Sequence, residues 1–411
     1  MKHVLITLML AASFAAAQPV PALSRERLAR VDQVLQGYTD QNKIAGAVAL
    51  VLRDGKPAYE KAFGWADKEA GRRMSADTLF RIASQSKAIT STAVLTLLED
   101  GKLRLDQPVA DFIPTFAKTT VAVKSDSGVR IVPAKRPITI KDLLTHTAGI
   151  SYGTDPQVRD LYGPKGLGPA AGYGWYTADK DEGICVTMER LGTLPFVAQP
   201  GESWVYGYNT DILGCVVEKA SGKPLDDYIR ERVTGPLGLN DTRFYIPPAE
   251  RNRLAAVYAS GPGGLAVRAP DGPTGQGHYV EGPRKSFSGG AGLTSTARDY
   301  ARFLEMIRNH GALDGVRILG ARTVQLMTTN QSGTLYAAPG RGFGLGFETV
   351  EKYGASGLAG VGAFGWGGAY GTTYQVDPES HLVVVLMLQL IPNSTDVESK
   401  FSTAVYQALV D

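Results

Sequence analysis

Residues 45–65 read AGAVALVLRDGKPAYEKAFGW. Over residues 45–53 the side chains are almost all apolar for the length of one strand, and Asp54-Gly55 is a pair that accepts the backbone angles of a tight hairpin turn. Residues 59–65 then alternate as a returning strand. The stretch predicts an antiparallel hairpin. Ahead of it, Ser24 is placed to cap a helix whose apolar residues Leu28, Val31, Val34 and Leu35 recur at helical spacing.

Past the hairpin, strand patterns stop for a long stretch and helical patterns take over, at 88–98, 140–144, 211–218, 225–233 and 297–308. Strand patterns return at 344–350, 364–376 and 382–388, and residues 397–409 close with a helical pattern. Short strands at the two ends are poor sheets separately, so the economical topology joins them. The expected fold class is α/β of the α+β kind: one antiparallel sheet built from both ends of the chain, flanked by helices, with a mainly helical region inserted. The expected division is a sheet part of about 18–80 and 290–411 and a helical part of about 81–289. A cleft where the insert meets the sheet edge is the natural place for a small-molecule site.

Composition narrows the partners. The chain has 411 residues, 44% hydrophobic and 20% charged, with a net charge of +3 and no polybasic run. Electrostatics therefore gives no reason to expect nucleic acid or an anionic membrane as partner, and a small molecule is expected. Lys2, the apolar residues 4–17 and Ala15-Ala16-Ala17 ahead of Gln18 read as an export signal cleaved at about Ala17/Gln18, with a periplasmic or secreted product. That run is shorter than the roughly 20 residues a spanning helix needs, so no stable membrane insertion is expected after cleavage. His146, His278, His310 and His381 lack the paired spacing of a metal site, and no cofactor or metal is expected. Cys185 and Cys215 could pair in an oxidising compartment. Cys215 nevertheless falls among Ile212, Leu213 and Val216 and reads as a small buried hydrophobe. Residues 163–183, rich in Gly and containing Tyr173, Trp175 and Tyr176, have no periodicity and read as a long loop that walls a pocket.

The chemistry-bearing stretch is Phe80-Arg81-Ile82-Ala83-Ser84-Gln85-Ser86-Lys87, which runs into the apolar helix of Ala88, Ile89, Ala93, Val94, Leu95 and Leu98. Residues three apart share a helix face, so Lys87 lies beside Ser84 at the helix start. A serine hydroxyl needs an adjacent proton acceptor to become a nucleophile, and backbone N–H groups at a helix start point toward developing negative charge. Taken alone, the pattern is equally that of a capping serine followed by a solvated lysine.

Three further segments follow in order: Leu143-Leu144-Thr145-His146-Thr147-Ala148-Gly149-Ile150, then Pro200-Gly201 through Trp204-Val205-Tyr206 to Leu213-Gly214, then Trp366-Gly367-Gly368. With S-x-x-K they resemble the serine β-lactamase and penicillin-binding-protein superfamily, over roughly residues 44–388. Within it the chain is most similar to the esterases related to class C β-lactamases, the family VIII carboxylesterases, whose third motif reads W-G-G in place of K-T-G. The resemblance implies an acyl-enzyme on Ser84, with Lys87 and Tyr206 moving protons and Tyr208 the rival tyrosine beside the substrate. It also implies an oxyanion hole from the N–H groups of Ser84 and Ala369, with Trp366, Gly367 and Gly368 lining the substrate. A phenol becomes a useful base only where a nearby cation stabilises its phenolate, which Lys87 could supply. Class C enzymes carry asparagine two residues after the tyrosine, whereas this chain has Tyr208 there and Asn209 one later, which puts lactam recognition in doubt.

His146 lacks a partnering acidic motif and reads as structural, and the chain has no G-x-S-x-G elbow. The expected activity is an exported carboxylesterase for small acyl esters. The alternatives are a β-lactamase, a D-alanyl-D-alanine carboxypeptidase or amidase, or a non-catalytic acylated sensor. Loss of a cationic residue from the third motif weighs against the lactam and peptide readings.

Overall fold

A computed structural model describes residues 22–126, 128–168 and 180–410. The expected export signal, its Ala17/Gln18 boundary and the aromatic loop residues Tyr173, Trp175 and Tyr176 lie outside the described residues. Helix α1 (Arg25–Asp40) starts at Ser24, whose hydroxyl accepts the Arg27 N–H. The hairpin follows as β1 (Gly46–Arg53) and β2 (Lys56–Asp67), with a short β3 (Arg72–Arg73) beside it. From the far end of the chain come β4 (Arg341–Phe343), β5 (Glu348–Val350), β6 (Phe364–Gly367), β7 (Thr373–Asp377) and β8 (Leu382–Leu388).

All eight form one antiparallel sheet in the order β4-β5-β6-β7-β8-β1-β2-β3. The seam between the two ends of the chain is β8 on β1, in register from Leu382 opposite Arg53 to Leu388 opposite Ala47. Both seam strands are buried on both faces. Val48, Leu50, Val383 and Val385 face one core, and Ala47, Ala49, Val384 and Leu386 face the other. That two-sided burial is why residues 45–53 are apolar throughout and do not alternate. Each fully buried Val or Leu contributes about 2 kcal/mol of hydrophobic stabilisation, so the seam is among the strongest links in the fold.

Helix α1 and the C-terminal α7 (Val397–Tyr406) cover one face of the sheet, and α6 (Ala297–Arg308) packs on the other. Between them lies the helical region, with α2 (Ser86–Glu99), α3 (Ile140–Leu144), α4 (Ile184–Leu191) and α5 (Asn209–Ser221). Helix α2 is buried on all sides from Ser86 to Leu97, so it forms the axis of this region.

Two expectations are corrected. The middle of the chain is not free of strands: Thr120–Ser125 and Gly128–Pro133 form an antiparallel hairpin, and Tyr258–Ser260 pairs with Ala266–Arg268. Val129 and Ile131 of the first hairpin are exposed, which is why no buried alternation marked it. Cys215 is not a free buried thiol either, because it forms a disulfide with Cys185 that ties α4 to α5 at a Cα separation of 4.9 Å. Helical spacing could show the buried face of α5 but not which residue of α4 meets it.

Candidate active site

Ser84 sits in a single 3-10 turn, Ala83–Gln85, that leads directly into α2. The residue before it, Ala83, has φ of 42°, a left-handed conformation uncommon for a residue with a side chain and often found where a backbone is held for function. Lys87 lies in the first turn of α2 and is 2% exposed. Its Nζ donates to Gly290 O at 2.8 Å, Tyr152 OH at 3.0 Å and Ser84 Oγ at 3.3 Å. Three acceptors match the three N–H bonds of an ammonium, so the geometry points Lys87 toward holding charge beside the nucleophile.

The segment around Gly290 is strapped along α2. Thr90 donates its hydroxyl to Gly289 O, and the Leu293 N–H donates to Ser86 Oγ. Gly290 also donates its N–H to the carboxylate of Asp211 on α5, at 3.2 Å, and Ser288 donates its hydroxyl to the same oxygen. A side chain at position 290 would place its Cβ 2.4 Å from Asp211, so the approach requires glycine. Asp211 is fully buried, and burial pushes its carboxyl up against the opposing pull of Ser288 and Lys87. Asp211 is thus joined to Lys87 through the backbone of one residue, Gly290.

Tyr206 is held by rings. Lys87 Nζ lies 4.6 Å from its ring centroid. Trp204 stacks on it at 5.7 Å with 14° between planes, His146 lies at 4.8 Å and Trp366 at 5.5 Å. Trp366 Nε1 donates to the Tyr206 hydroxyl at 3.1 Å, and a donor on that oxygen stabilises it when it carries negative charge. The cation therefore sits over the ring, while a direct hydrogen bond to the phenolic oxygen comes from the third motif. Tyr336 and Phe343 extend the same aromatic wall through Trp204 and Trp366.

Gly368 brings the end of β6 against the nucleophile turn, since a Cβ there would fall 2.5 Å from Ile82 O. Gly367 pairs with Thr373 at the end of the strand, and Ala369 follows as an exposed residue. Among the described residues no protein acceptor takes the N–H of Ser84 or of Ala369, the condition an oxyanion hole requires.

Tyr208, the rival tyrosine of the resemblance, has its hydroxyl engaged within the protein. It is 2% exposed, its hydroxyl accepts the Gly168 N–H at 2.8 Å, and its ring packs edge-on to Tyr152. Asn209 is buried as well, and its amide donates to His146 Nδ1 at 2.8 Å and toward Ile150 O and Val205 O. The shift of asparagine by one position therefore makes it a clamp. With that donor on Nδ1, the ring proton of His146 belongs on Nε2, and burial holds the imidazole well below its ordinary range, with Lys87 adding to the effect.

Sequence reasoning missed Tyr152 and Asp211. Tyr152 contacts Lys87 directly, and burial pushes its phenol well up, with Tyr206 and Asp211 adding to the effect. Its signal was available, because it follows His146-Thr147-Ala148-Gly149-Ile150-Ser151 in a segment already singled out. Asp211 lies one turn beyond Tyr206 and Tyr208, but only the return of Gly290 shows its link to Lys87.

A half-buried serine and a buried lysine at a helix start, beside a tyrosine and a strand end, define a serine hydrolase built on an antiparallel sheet with a helical insert. Residues 31–406 match the family model described as Beta-lactamase. Esterase EstB of Burkholderia gladioli is 36% identical over 87% of this chain and 89% of its own length. The lovastatin esterase of Penicillium rubens is 30% identical over 88% and 92%. The solved structure of EstCE1, a hydrolase with promiscuous acyltransferase activity, superposes with a TM-score of 0.79 at 29% identity, covering 93% of this chain and 99% of that one. The chain belongs to the β-lactamase family of serine hydrolases.

Proposed function

We propose that the protein is an exported carboxylesterase that cleaves small acyl esters through an acyl-enzyme on Ser84. The observation that carries this reading is the Trp366 Nε1 to Tyr206 bond, because the third motif spends its side chain on the general base and offers no cation to a substrate carboxylate. Ser84 Oγ attacks the ester carbonyl carbon while its proton passes to Tyr206. The carbonyl oxygen, now negative, is received by the N–H groups of Ser84 and Ala369. As the intermediate collapses, the alcohol leaves with the proton from Tyr206 and the acyl group remains on Ser84. Water then attacks the acyl-enzyme by the same route in reverse. An ester needs less help from a general acid than an amide does, because its leaving group is the better one. The similarity to the two esterases supports this reaction class, and the Cys185–Cys215 disulfide supports an oxidising destination.

The test is the ratio of kcat/KM for an aryl butyrate and a chromogenic cephalosporin, in the wild type and in Trp366→Lys. The ester is expected to win by at least about 100-fold in the wild type, with the variant losing esterase activity and gaining affinity for carboxylate-bearing lactams. A wild-type ratio near or below one would assign the protein to lactam or peptide chemistry instead.

A further inference from the structure

Lys87 and Asp211 are both buried, and among the described residues neither touches a group of opposite charge. The three acceptors around the Lys87 ammonium are neutral: a carbonyl, a phenol and the Ser84 hydroxyl. The Asp211 carboxyl is served by neutral donors alone, the Ser288 hydroxyl and the Gly290 N–H. Both reach Oδ1, while Oδ2 is buried with no hydrogen-bond partner among the described residues. A charge taken out of water without a counter-charge is strongly disfavoured, so each of these two groups calls for the other.

The strap between them is short and fixed on both sides. Gly290 accepts from Lys87 at its oxygen and donates to Asp211 at its nitrogen, so one residue separates cation from anion. On the Lys87 side, Thr90 and Ser86 of α2 bond Gly289 O and the Leu293 N–H. On the Asp211 side, Ser288 Oγ gives its proton to the carboxylate and accepts the Ala291 N–H at 3.1 Å. The other titratable groups within reach of the Asp211 charge are Tyr152 beyond α3, Tyr208 at the start of α5 and Lys180 ahead of α4. Burial pushes both phenols up and keeps them neutral, and Lys180 turns its ammonium to Gly166 O. Lys87 is the cation that shares a strap with Asp211.

We propose that Asp211 is a positioning residue of the proton transfer: as the counter-charge of Lys87 it keeps the lysine in its ammonium form beside Ser84 and the Tyr206 ring, acting through Gly290 and never touching substrate. The inference rests on the reading of Lys87 and Tyr206 as the groups that move the Ser84 proton. With the pair intact, the positive charge 4.6 Å from the Tyr206 ring persists to higher pH.

Two measurements on the full chain test it. The first is the pH profile of kcat/KM for an aryl acetate. Asp211→Asn keeps an acceptor for Gly290 but removes the charge, which lets the Lys87 ammonium lose its proton more easily, so the alkaline limb is expected to move to lower pH by about one unit. A profile of reduced height with its limbs in place would mark a merely structural defect and overturn the proposal. The second needs no turnover and compares urea unfolding of Lys87→Met, Asp211→Asn and the double variant. Lys87→Met strands a buried carboxylate, so its stability is expected to fall more steeply than that of the wild type as the pH rises from about 5 to about 8. Adding Asp211→Asn is expected to remove that slope and restore part of the loss. Additive losses, parallel pH curves for Lys87→Met with and without Asp211→Asn, or a double variant that fails to fold where Lys87→Met folds would overturn the pairing. Ester turnover that survives Lys87→Met would instead overturn the reading beneath the proposal, and the unfolding comparison keeps the two failures apart.

Discussion

The two ends of the catalytic cleft are held by different physics. Ser84 and Lys87 are fixed by hydrogen bonds along one helix and one strap, with every Lys87 donor engaged. Tyr206 is fixed mainly by the rings of Trp204, His146 and Trp366, with hydrogen bonding at its oxygen from Trp366 and with Tyr152. Polar bonds set a donor's position to a few tenths of an ångström, whereas ring packing sets an orientation and excludes water. Substitutions at the first end should therefore act on the charge beside the nucleophile. At the second end they should act on how well the base is aimed.

The largest effect tests whether the polar end is the reacting end. Ser84→Ala is expected to lower kcat by at least about 10⁴-fold on an aryl acetate with the fold intact by circular dichroism, and near-normal turnover would remove Ser84 from the mechanism. Lys87→Ala and Tyr206→Phe should each cost at least about 100-fold, and the double variant should cost far less than the product, since both serve one proton transfer. Fully multiplicative losses would show that the two ends work independently.

Smaller effects sharpen the division. Tyr152→Phe leaves one Lys87 N–H unpaired in a buried setting and should lower kcat by about tenfold. Tyr208→Phe leaves the Gly168 N–H unpaired instead, so it should cost about 1 to 2 kcal/mol in urea unfolding with kcat nearly unchanged. A crippled Tyr208→Phe enzyme with normal stability would reverse that assignment.

The last effect is on stability against pH. His146 titrates near 6.5 in an unfolded chain and well below that when folded, so the folded state refuses a proton that the unfolded state accepts. Its contribution is fully present above pH 6.5 and falls as the pH drops below it, by up to about 1.4 kcal/mol per pH unit. His146→Gln should therefore show a shallower loss of unfolding free energy between neutral and mildly acidic pH than the wild type. Parallel curves would mean that His146 does not carry the acid sensitivity.

The polar end was legible because its information is local. The spacing of Ser84 and Lys87 survives translation into a helix without knowledge of any other segment, and the two-sided apolar run of β1 announced the central seam. The aromatic end was legible only through motif order, since Tyr206 and Trp366 are 160 residues apart and meet through the sheet. Tyr152, Asp211 and the Cys185–Cys215 bond were not read because each depends on how α2, α4 and α5 pack. The burial of Tyr208 was not read for the same reason, because a helix start can turn nearby tyrosines toward different environments.

The most direct test of the account is intact-protein mass spectrometry after brief reaction with a slowly turned-over aryl ester, followed by peptide mapping. One acyl group per chain is expected, located on Ser84, formed much more slowly in Tyr206→Phe and absent in Ser84→Ala. An adduct on any other residue, or turnover of the ester with no acylated serine at any time point, would contradict it.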